Sequence, residues 1–190
     1  MYITPEFSKI DMKNTKGLGI FSGSFNPIHM GHISIINAAE KILGFPIVLE
    51  LSSRNADKGE YDIVEINRRL KGLEKYPCIV TKAPTFIQKA VLFSKEYPNK
   101  ELIFVVGADT WVRIWDAKYA GPLDRVAEVF RENKAKFLVF GRRINIEFDS
   151  TIGEEFRIQS EEASQFSNPI SSTELRMALT KSQMPVTVKS

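Results

Sequence analysis

His29 and His32, the two histidines of the 190-residue chain, lie three residues apart in the segment GSFNPIHMGH. If a helix begins here, side chains at this spacing share one face, with Cβ atoms roughly 5–6 Å apart. Two imidazoles at that separation can contact neighbouring phosphates of one polyphosphate. The unpaired N–H groups and the positive dipole at a helix N-terminus add to the attraction for an anion. The pair therefore predicts a polyphosphate site.

Three further residues shape the same turn. Gly23 follows an apolar run directly, so it would allow a tight turn and close backbone access to a ligand. Pro27 would stiffen the loop, because its ring fixes the backbone φ angle. Gly31, between the histidines, would leave room for the ligand.

Other interpretations of the histidine pair stay open at this point. The two rings could be helix caps or satisfied core residues. They could also hold zinc, although no nearby Cys, Asp or Glu completes a ligand set. The segment matches neither GxGxxG nor GxxxxGK[ST], so dinucleotide oxidoreductases and P-loop enzymes have no motif here.

The elements that must position the histidines follow from the apolar pattern. Short apolar runs predict strands at Gly17–Ser22, Ile47–Leu51, Cys78–Thr81, Leu102–Val106 and Lys136–Phe140, with a short sixth at Phe156–Ile158. Helical spacing predicts helices over Ile33–Leu43, from Ile63 to near Tyr76, and over Thr85–Tyr97, Pro122–Asn133 and Thr173–Lys181. Alternating elements indicate a Rossmann-like α/β fold, a doubly wound parallel sheet of five to six strands with helices on both faces.

Polar or charged residues follow each of the first five predicted strands. They begin SGSFNPIHMGH, SSRNADKG, KAPTF, GADTW and GRR. Ligands of such sheets bind beyond the carboxyl ends of the strands, where the strand order reverses. The five segments are therefore expected to share one rim.

Composition bounds the class of protein. Hydrophobic residues make up 43% of the chain, which excludes global disorder, and the net charge of +3 is too weak for a protein that coats nucleic acid. A single cysteine, Cys78, allows no intrachain disulfide and no Cys-based zinc site. We expect one domain over residues 1–190 with flexible ends at 1–16 and 183–190. We also expect a cytoplasmic location, no membrane or nucleic-acid partner, and compatibility with a homo-oligomer.

A second constellation, ISSTELR, covers residues 170–176. Ser171 and Glu174 have the spacing of a capping box, which would start the last helix. Arg176 would then lie within the first turn and a half, where a cation opposes the helix dipole unless an anion is present. Ser171, Ser172 and Arg176 thus predict a polyphosphate cradle, with a plain helix cap as the alternative.

Both constellations resemble signatures of one superfamily. GSFNPIHMGH resembles the GxFxPxHxGH signature of the HxGH nucleotidyltransferases, and ISSTELR resembles their ISSTxxR signature. GADTW and the lysine of NADKG make the chain most similar to nicotinamide/nicotinate mononucleotide adenylyltransferases. The resemblance implies transfer of AMP from ATP, with Mg²⁺, to a pyridine mononucleotide, releasing pyrophosphate.

The resemblance also implies roles for single residues. It assigns catalysis to His29, His32 and Arg176, and ATP binding to Gly23, Ser24, Phe25, His32, Gly107, Asp109, Ser171, Ser172 and Arg176. It assigns the pyridine nucleotide to Asn26, Lys58, Thr85 and Trp115, with Trp115 favoured over Trp111 for stacking on the ring, and it requires no residues dedicated to a metal. The alternative for Asp109 is an N-cap of the next turn.

Three questions of substrate and activity stay open in the sequence. The phosphate-handling motifs are compatible with another acceptor, such as phosphopantetheine, or with CTP in place of ATP. The loop SSRNADKGEYD leaves the preference between nicotinate and nicotinamide open. A non-catalytic nucleotide-binding module is the alternative from another class, and its expected mark would be a broken HxGH segment or a missing arginine.

Overall fold

The computed structural model describes residues 1–55, 59–60, 62–116, 121–141 and 151–166. A six-stranded sheet has the order β1-β6-β3-β2-β7-β8, and all neighbours are parallel except the antiparallel edge pair β1 and β6. Its strands are β1 (Tyr2–Ile3), β2 (Gly17–Ser22), β3 (Ile47–Ser52), β6 (Cys78–Thr81), β7 (Glu101–Gly107) and β8 (Lys136–Phe140). A separate two-stranded sheet pairs β4 (Arg54–Asn55) with β5 (Gly59–Glu60).

Consecutive residues of the central strands are apolar and buried, so both faces of the sheet are covered by helices. The helices are α1 (Met30–Leu43), α2 (Ile63–Lys71), α3 (Phe86–Glu96), α4 (Ala108–Ile114), α5 (Leu123–Glu132), α6 (Thr151–Glu154) and α7 (Glu161–Gln165). One core joins Leu18, Ile20, Phe104 and Phe137 of the strands to apolar residues of α3, α4 and α5. The other joins Phe21, Leu49, Val105 and Leu138 to apolar residues of α1, α2 and α7. The predicted doubly wound α/β fold is confirmed.

The strand order reverses beside β2. Counted along the chain, the five parallel strands lie in the order third, second, first, fourth, fifth, so β2 has β3 on one side and β7 on the other. Parallel sheets with such a reversal bind ligands in a crevice beyond the carboxyl ends of the central strands. The segment with both histidines begins at the end of β2, at this crevice.

Part of the predicted flexible lead-in, residues 1–16, contacts the folded body of the chain. Strand β1 pairs with β6, and Thr4 exchanges hydrogen bonds with Cys78, its N–H donating to the Cys78 oxygen and its Oγ1 accepting from the Cys78 N–H, both at 3.0 Å. A 3₁₀ turn over Phe7–Lys9 buries the Phe7 ring to 5% exposure. The sequence pattern missed this because a two-residue strand and one aromatic anchor carry almost no periodicity.

Most predicted element boundaries hold within one or two residues, and three differ more. Helix α1 begins three residues earlier than predicted, and α2 ends at Lys71 instead of near Tyr76. The predicted strand at Phe156–Ile158 is a single parallel bridge between Arg157 and Phe137. The predicted helix at Thr173–Lys181 lies outside the described residues. Among the described helices, none is long and apolar enough to cross a membrane.

Candidate active site

The HxGH turn lies at the start of α1. His29 is the N-cap of this helix, with an extended backbone at φ −145° and ψ 171°, and helical geometry begins at Met30. His32 is thus in the first turn of the helix, where the predicted polyphosphate site requires it. The two imidazoles are in contact, with ring centroids 3.8 Å apart. The structure therefore brings together the two histidines that the sequence singled out.

Backbone hydrogen bonds set the tautomer of both imidazoles. The Gly31 N–H donates to His29 Nδ1, and the His29 N–H donates to His32 Nδ1, each at 3.2 Å. This is a capping box built from two histidines. A ring nitrogen that accepts a hydrogen bond carries no proton, so in the neutral rings the proton lies on Nε2. Each ring therefore carries its proton on Nε2, and the capping interactions at Nδ1 do not exclude the predicted anion binding.

Aromatic side chains bury one side of His32. The Phe25 ring lies edge-on at 5.2 Å between centroids, and the Phe21 ring lies at 5.9 Å. Phe25 itself is 2% exposed and has a positive φ of 43°, a conformation that bulky residues seldom adopt. Burial of this ring against His32 thus accompanies local backbone strain in the loop, a combination that is common at functional sites.

Burial lowers the pKa of both imidazoles, and the neighbouring charge of His29 lowers that of His32 further. Desolvation, with a smaller contribution from the charge of His29, lowers the pKa of His32 from 6.5 to about 4. Desolvation also lowers the pKa of His29. At neutral pH the pair therefore offers two hydrogen-bond donors without a full positive charge.

The lowered pKa of His32 makes stability depend on pH in a defined window. The folded state resists protonation that the unfolded chain accepts near pH 6.5, so this stability is complete above pH 6.5 and is lost as the pH falls towards about 4. We expect the unfolding midpoint to fall across that window, and the His32→Gln variant to fall less. Thermal unfolding of both proteins from pH 7 to pH 4 measures this, and parallel curves would contradict it.

Gly23 makes room for the Phe25 ring. A Cβ atom at Gly23 would lie 2.8 Å from Cζ of Phe25 and 3.0 Å from its Cε1, closer than real Cβ contacts. The Gly23 N–H donates to the Glu50 backbone oxygen on β3 at 3.1 Å. Gly23 therefore shapes the loop through an internal contact, a role that the prediction of ligand access at this glycine did not include.

Helix α2 holds the loop before the histidines. Arg68 Nη2 donates to Asn26 Oδ1 at 2.7 Å, and Arg69 Nη1 donates to the Ser24 backbone oxygen at 3.4 Å. Glu65 accepts from both guanidinium groups, and these hydrogen bonds, first that of Arg68, lower the Glu65 pKa to about 2. Sequence reasoning missed both arginines, although two adjacent basic residues on an amphipathic helix after a rim loop were a usable signal.

The carboxyl end of β7 forms the other side of the crevice. Gly107 is the N-cap of α4, and a Cβ atom placed there would have no atom within 4 Å. Asp109 is exposed in the first turn of α4, so the interpretation of Asp109 as the N-cap is wrong. The space at Gly107 is compatible with the predicted close approach of a nucleotide.

The two tryptophans have different environments. Trp115 is 1% exposed, and its ring stacks on Phe156 at 5.7 Å. Trp111 is half-buried, at 5.2 Å from the Phe137 ring and edge-on to Trp115 at 5.6 Å. Of the two residues only Trp111 is accessible to solvent, so the structure favours Trp111 over the predicted Trp115 as the stacking residue. The sequence did not distinguish them because both face the core at i,i+4 spacing.

Thr85 caps the helix that follows β6. Its hydroxyl accepts from the Gln88 N–H at 3.3 Å, in a capping box with the Gln88 side chain. The next residue, Phe86, packs on Phe137 at 5.9 Å, and Trp111 packs on the same ring. The segments after β6 and β7 therefore meet over one aromatic side chain.

Lys58, Ser171, Ser172 and Arg176 lie outside the described residues, so their predicted roles stay predictions. Within the described part of the chain, no group of three or more His, Cys, Asp or Glu side chains could hold a metal ion.

Residues 20–178, more than half of the chain, match the family described as "Cytidylyltransferase-like". The chain belongs to this family. A Bacteroides fragilis relative, named "Probable nicotinate-nucleotide adenylyltransferase", is 32% identical over 114 residues, which are 53% of this chain and 56% of the relative. A Clostridium perfringens protein of the same name is 25% identical over 186 residues, covering 81% of this chain and 92% of that protein.

The names of the relatives differ in the pyridine nucleotide. A Schizosaccharomyces pombe relative, 32% identical over 113 residues, has a name that refers to nicotinamide mononucleotide; the match covers 55% of this chain and 44% of the relative. This cytidylyltransferase-like chain spans about half the length of several of the relatives it matches. The likeness supports the predicted resemblance to pyridine mononucleotide adenylyltransferases.

Proposed function

We propose that this chain transfers the adenylyl group of ATP to nicotinate or nicotinamide mononucleotide, giving the pyridine dinucleotide and pyrophosphate. The observation that carries the proposal is the contact between the imidazoles of His29 and His32 where the sheet order reverses, with Nδ1 of each ring accepting a backbone N–H. Donors fixed by backbone hydrogen bonds lose little entropy when a phosphate binds. The names of the relatives support the same reaction.

The chemistry needs positioning more than acid–base catalysis. A phosphate oxygen of the mononucleotide forms a bond to the α-phosphorus of ATP, and the bond from that phosphorus to the bridging oxygen of pyrophosphate breaks. The attacking phosphate is anionic near neutral pH, since its second pKa is about 6, so no general base is required. The Nε2–H groups donate to oxygens of the α- and β-phosphates while negative charge builds there.

The remaining predicted residues complete the proposal. Ser171, Ser172 and Arg176 hold the leaving pyrophosphate, and Lys58 binds the phosphate of the mononucleotide. Mg²⁺ would neutralise charge on the triphosphate. The described rim fits an ion carried by the nucleotide, because the Nε2–H groups are donors and are not ligands for a hard cation. Asp109 would accept from ribose hydroxyls. We keep a cytoplasmic location as a prediction.

Product analysis tests the reaction directly. The purified protein is incubated with ATP and Mg²⁺ and with each pyridine mononucleotide, phosphopantetheine or no acceptor, and the products are identified by mass. We expect a dinucleotide and one equivalent of pyrophosphate with a pyridine mononucleotide. CTP in place of ATP tests the base. If pyrophosphate is released only when phosphopantetheine is the acceptor, phosphopantetheine replaces the pyridine mononucleotide in the proposal. ATP binding without pyrophosphate release for any acceptor would indicate a binding module.

Trp111 is the proposed stacking partner of the pyridine ring. Loss of a base-stacking aromatic costs about 1–3 kcal/mol, so Trp111→Ala should raise the KM for the mononucleotide roughly tenfold and leave the KM for ATP nearly unchanged. The Trp111→Phe variant is the control, because it keeps an aromatic face. Steady-state kinetics with each substrate varied in turn measures the effect. Equal KM values in the wild type and Trp111→Ala would exclude this residue.

A further inference from the structure

A buried charged residue joins three elements of the rim. Glu50 lies on β3, is 1% exposed, and shares the sheet face of Val48, towards α3. Its backbone oxygen accepts from the Gly23 N–H at 3.1 Å, and its Oε1 accepts from the Thr81 hydroxyl at 2.6 Å. The Lys89 ammonium on α3 lies 3.1 Å from Oε2. One side chain thus connects β3 to β6 and α3, while its backbone connects β3 to the HxGH loop.

Lys89 carries the connection to the segment between β6 and α3. Its side chain is 4% exposed, and Nζ donates to the Ala83 backbone oxygen at 2.5 Å. The Ala83 N–H donates to the Thr81 hydroxyl at 3.1 Å. Both backbone groups of Ala83 are therefore held by the side chains that contact Glu50. The network therefore fixes Ala83, within the segment 82–85 that leads to Phe86.

The buried ion pair costs hydration free energy, and it lies at the carboxyl ends of the strands, where the proposed function places the site. A buried ion pair adds little stability over an apolar pair of the same size, because both charges lose their hydration. Three charged residues are buried at this rim: Glu50, Arg69 and Lys89. Arg69 and Lys89 each donate a hydrogen bond to a backbone oxygen of a rim loop, and Glu50 forms the ion pair with Lys89. Charges that only filled space in the core would have no reason to gather at the carboxyl ends of the strands.

The contacts of Lys89 lie on the acceptor side of the proposed site. Lys89 contacts the segment over residues 82–85 and approaches the Phe86 ring to 5.7 Å, and Phe86 shares the Phe137 ring with Trp111. The histidines depend instead on β2, the capping box and the arginines of α2. Disturbance of Lys89 should therefore reach the acceptor side more strongly than the triphosphate side.

We propose that the buried Glu50–Lys89 pair is a positioning device that holds residues 82–85 and so determines how tightly the acceptor mononucleotide binds. The proposal rests on the proposed function and on the predicted role of Thr85, the last residue of this segment, in binding the pyridine nucleotide. Neither side chain touches substrate, since both are buried beneath the rim. Their effect passes through the Ala83 backbone and the start of α3.

The test removes both charges together. The double variant Glu50→Gln/Lys89→Met keeps the side-chain volumes and leaves no unpaired buried charge. We expect its KM for the mononucleotide to rise about tenfold to hundredfold, the cost of misplacing a binding group by about 1 Å, with the KM for ATP within twofold of wild type. The matched control is Glu128→Gln/Arg125→Met, the same change in an exposed pair on α5, which should leave both constants unchanged.

Hydrogen exchange gives a readout that does not depend on activity. The amides of Lys82, Ala83 and Thr85 should exchange faster in the double variant, and those of residues 29–35 should not. An unchanged KM for the mononucleotide, equal rises for both substrates, or unchanged exchange at residues 82–85 in an active protein would overturn the proposal. If the double variant does not fold, the Thr81→Val variant tests the proposal by the same measurements. It removes only the hydroxyl that contacts both Glu50 and Ala83.

Failure of the proposed function would look different. In that case the wild-type protein forms no dinucleotide, whatever the exchange data show, and a role of the pair in acceptor binding is excluded with it. An active wild type with an unaffected double variant excludes the positioning role alone.

Discussion

His32→Ala lowers the turnover number by about 10²–10³, the scale for losing one preorganised donor to a transition state that builds negative charge. The reason is geometric: His32 presents Nε2–H at the start of α1, and its orientation is fixed by the hydrogen bond from the His29 N–H to Nδ1. Because the pKa of His32 is near 4, the ring acts at neutral pH as a neutral donor, so loss of a positive charge is not the cause. Steady-state kinetics with ATP and the mononucleotide measures the effect.

Two control variants separate the donor from the fold. His32→Gln keeps a neutral N–H donor and should recover part of the lost rate. Met30→Ala changes a 61% exposed residue in the same turn and should keep the wild-type rate. Rates for His32→Ala within threefold of the wild type would remove the catalytic assignment.

Lys89→Met alone destabilises the fold by about 3–5 kcal/mol, because it leaves the Glu50 carboxylate buried without its cation. Glu50 is 1% exposed, so water does not replace the lost partner. The double variant with Glu50→Gln should recover most of the loss, since no uncompensated charge remains. Urea unfolding of the wild type, both single variants and the double variant gives the coupling free energy.

The exposed ion pair of Arg131 with Glu155 is the comparison for this cycle. It should give a coupling of at most about 1 kcal/mol, the usual value at a surface. A coupling of that size between Glu50 and Lys89 would show that the buried pair adds no special constraint.

The strands and the histidine pair could be predicted because local signals report them. Strands β2, β6 and β8 have the predicted boundaries, since apolar runs bounded by turn residues carry that information. The proton positions on His29 and His32 could not be predicted. They depend on the extended backbone of His29 and on which ring nitrogen meets an N–H group.

Of the buried pair, the sequence predicts the inward position of Lys89 but not its contact with Glu50. Lys89 falls three residues after Phe86 and four before Phe93, so helical spacing places it on the inward face of α3. Glu50, within the apolar run IVLEL, gave no sign of a partner 39 positions away. Pairing of the first strand with β6 is a similar case, because the adjoining contact between Thr4 and Cys78 spans 74 positions.

Neutral imidazoles have a consequence for the reaction in acid. Because the pKa of His32 in the nucleotide-free protein is lowered to about 4, its imidazole stays neutral there at pH values where the acceptor's own phosphate, with its second pKa at about 6, already gains a proton. A decline in kcat/KM between pH 7 and pH 5 would therefore report the charge of the incoming nucleophile. The acid limb of the rate profile would shift with the acceptor and would be insensitive to replacement of His32.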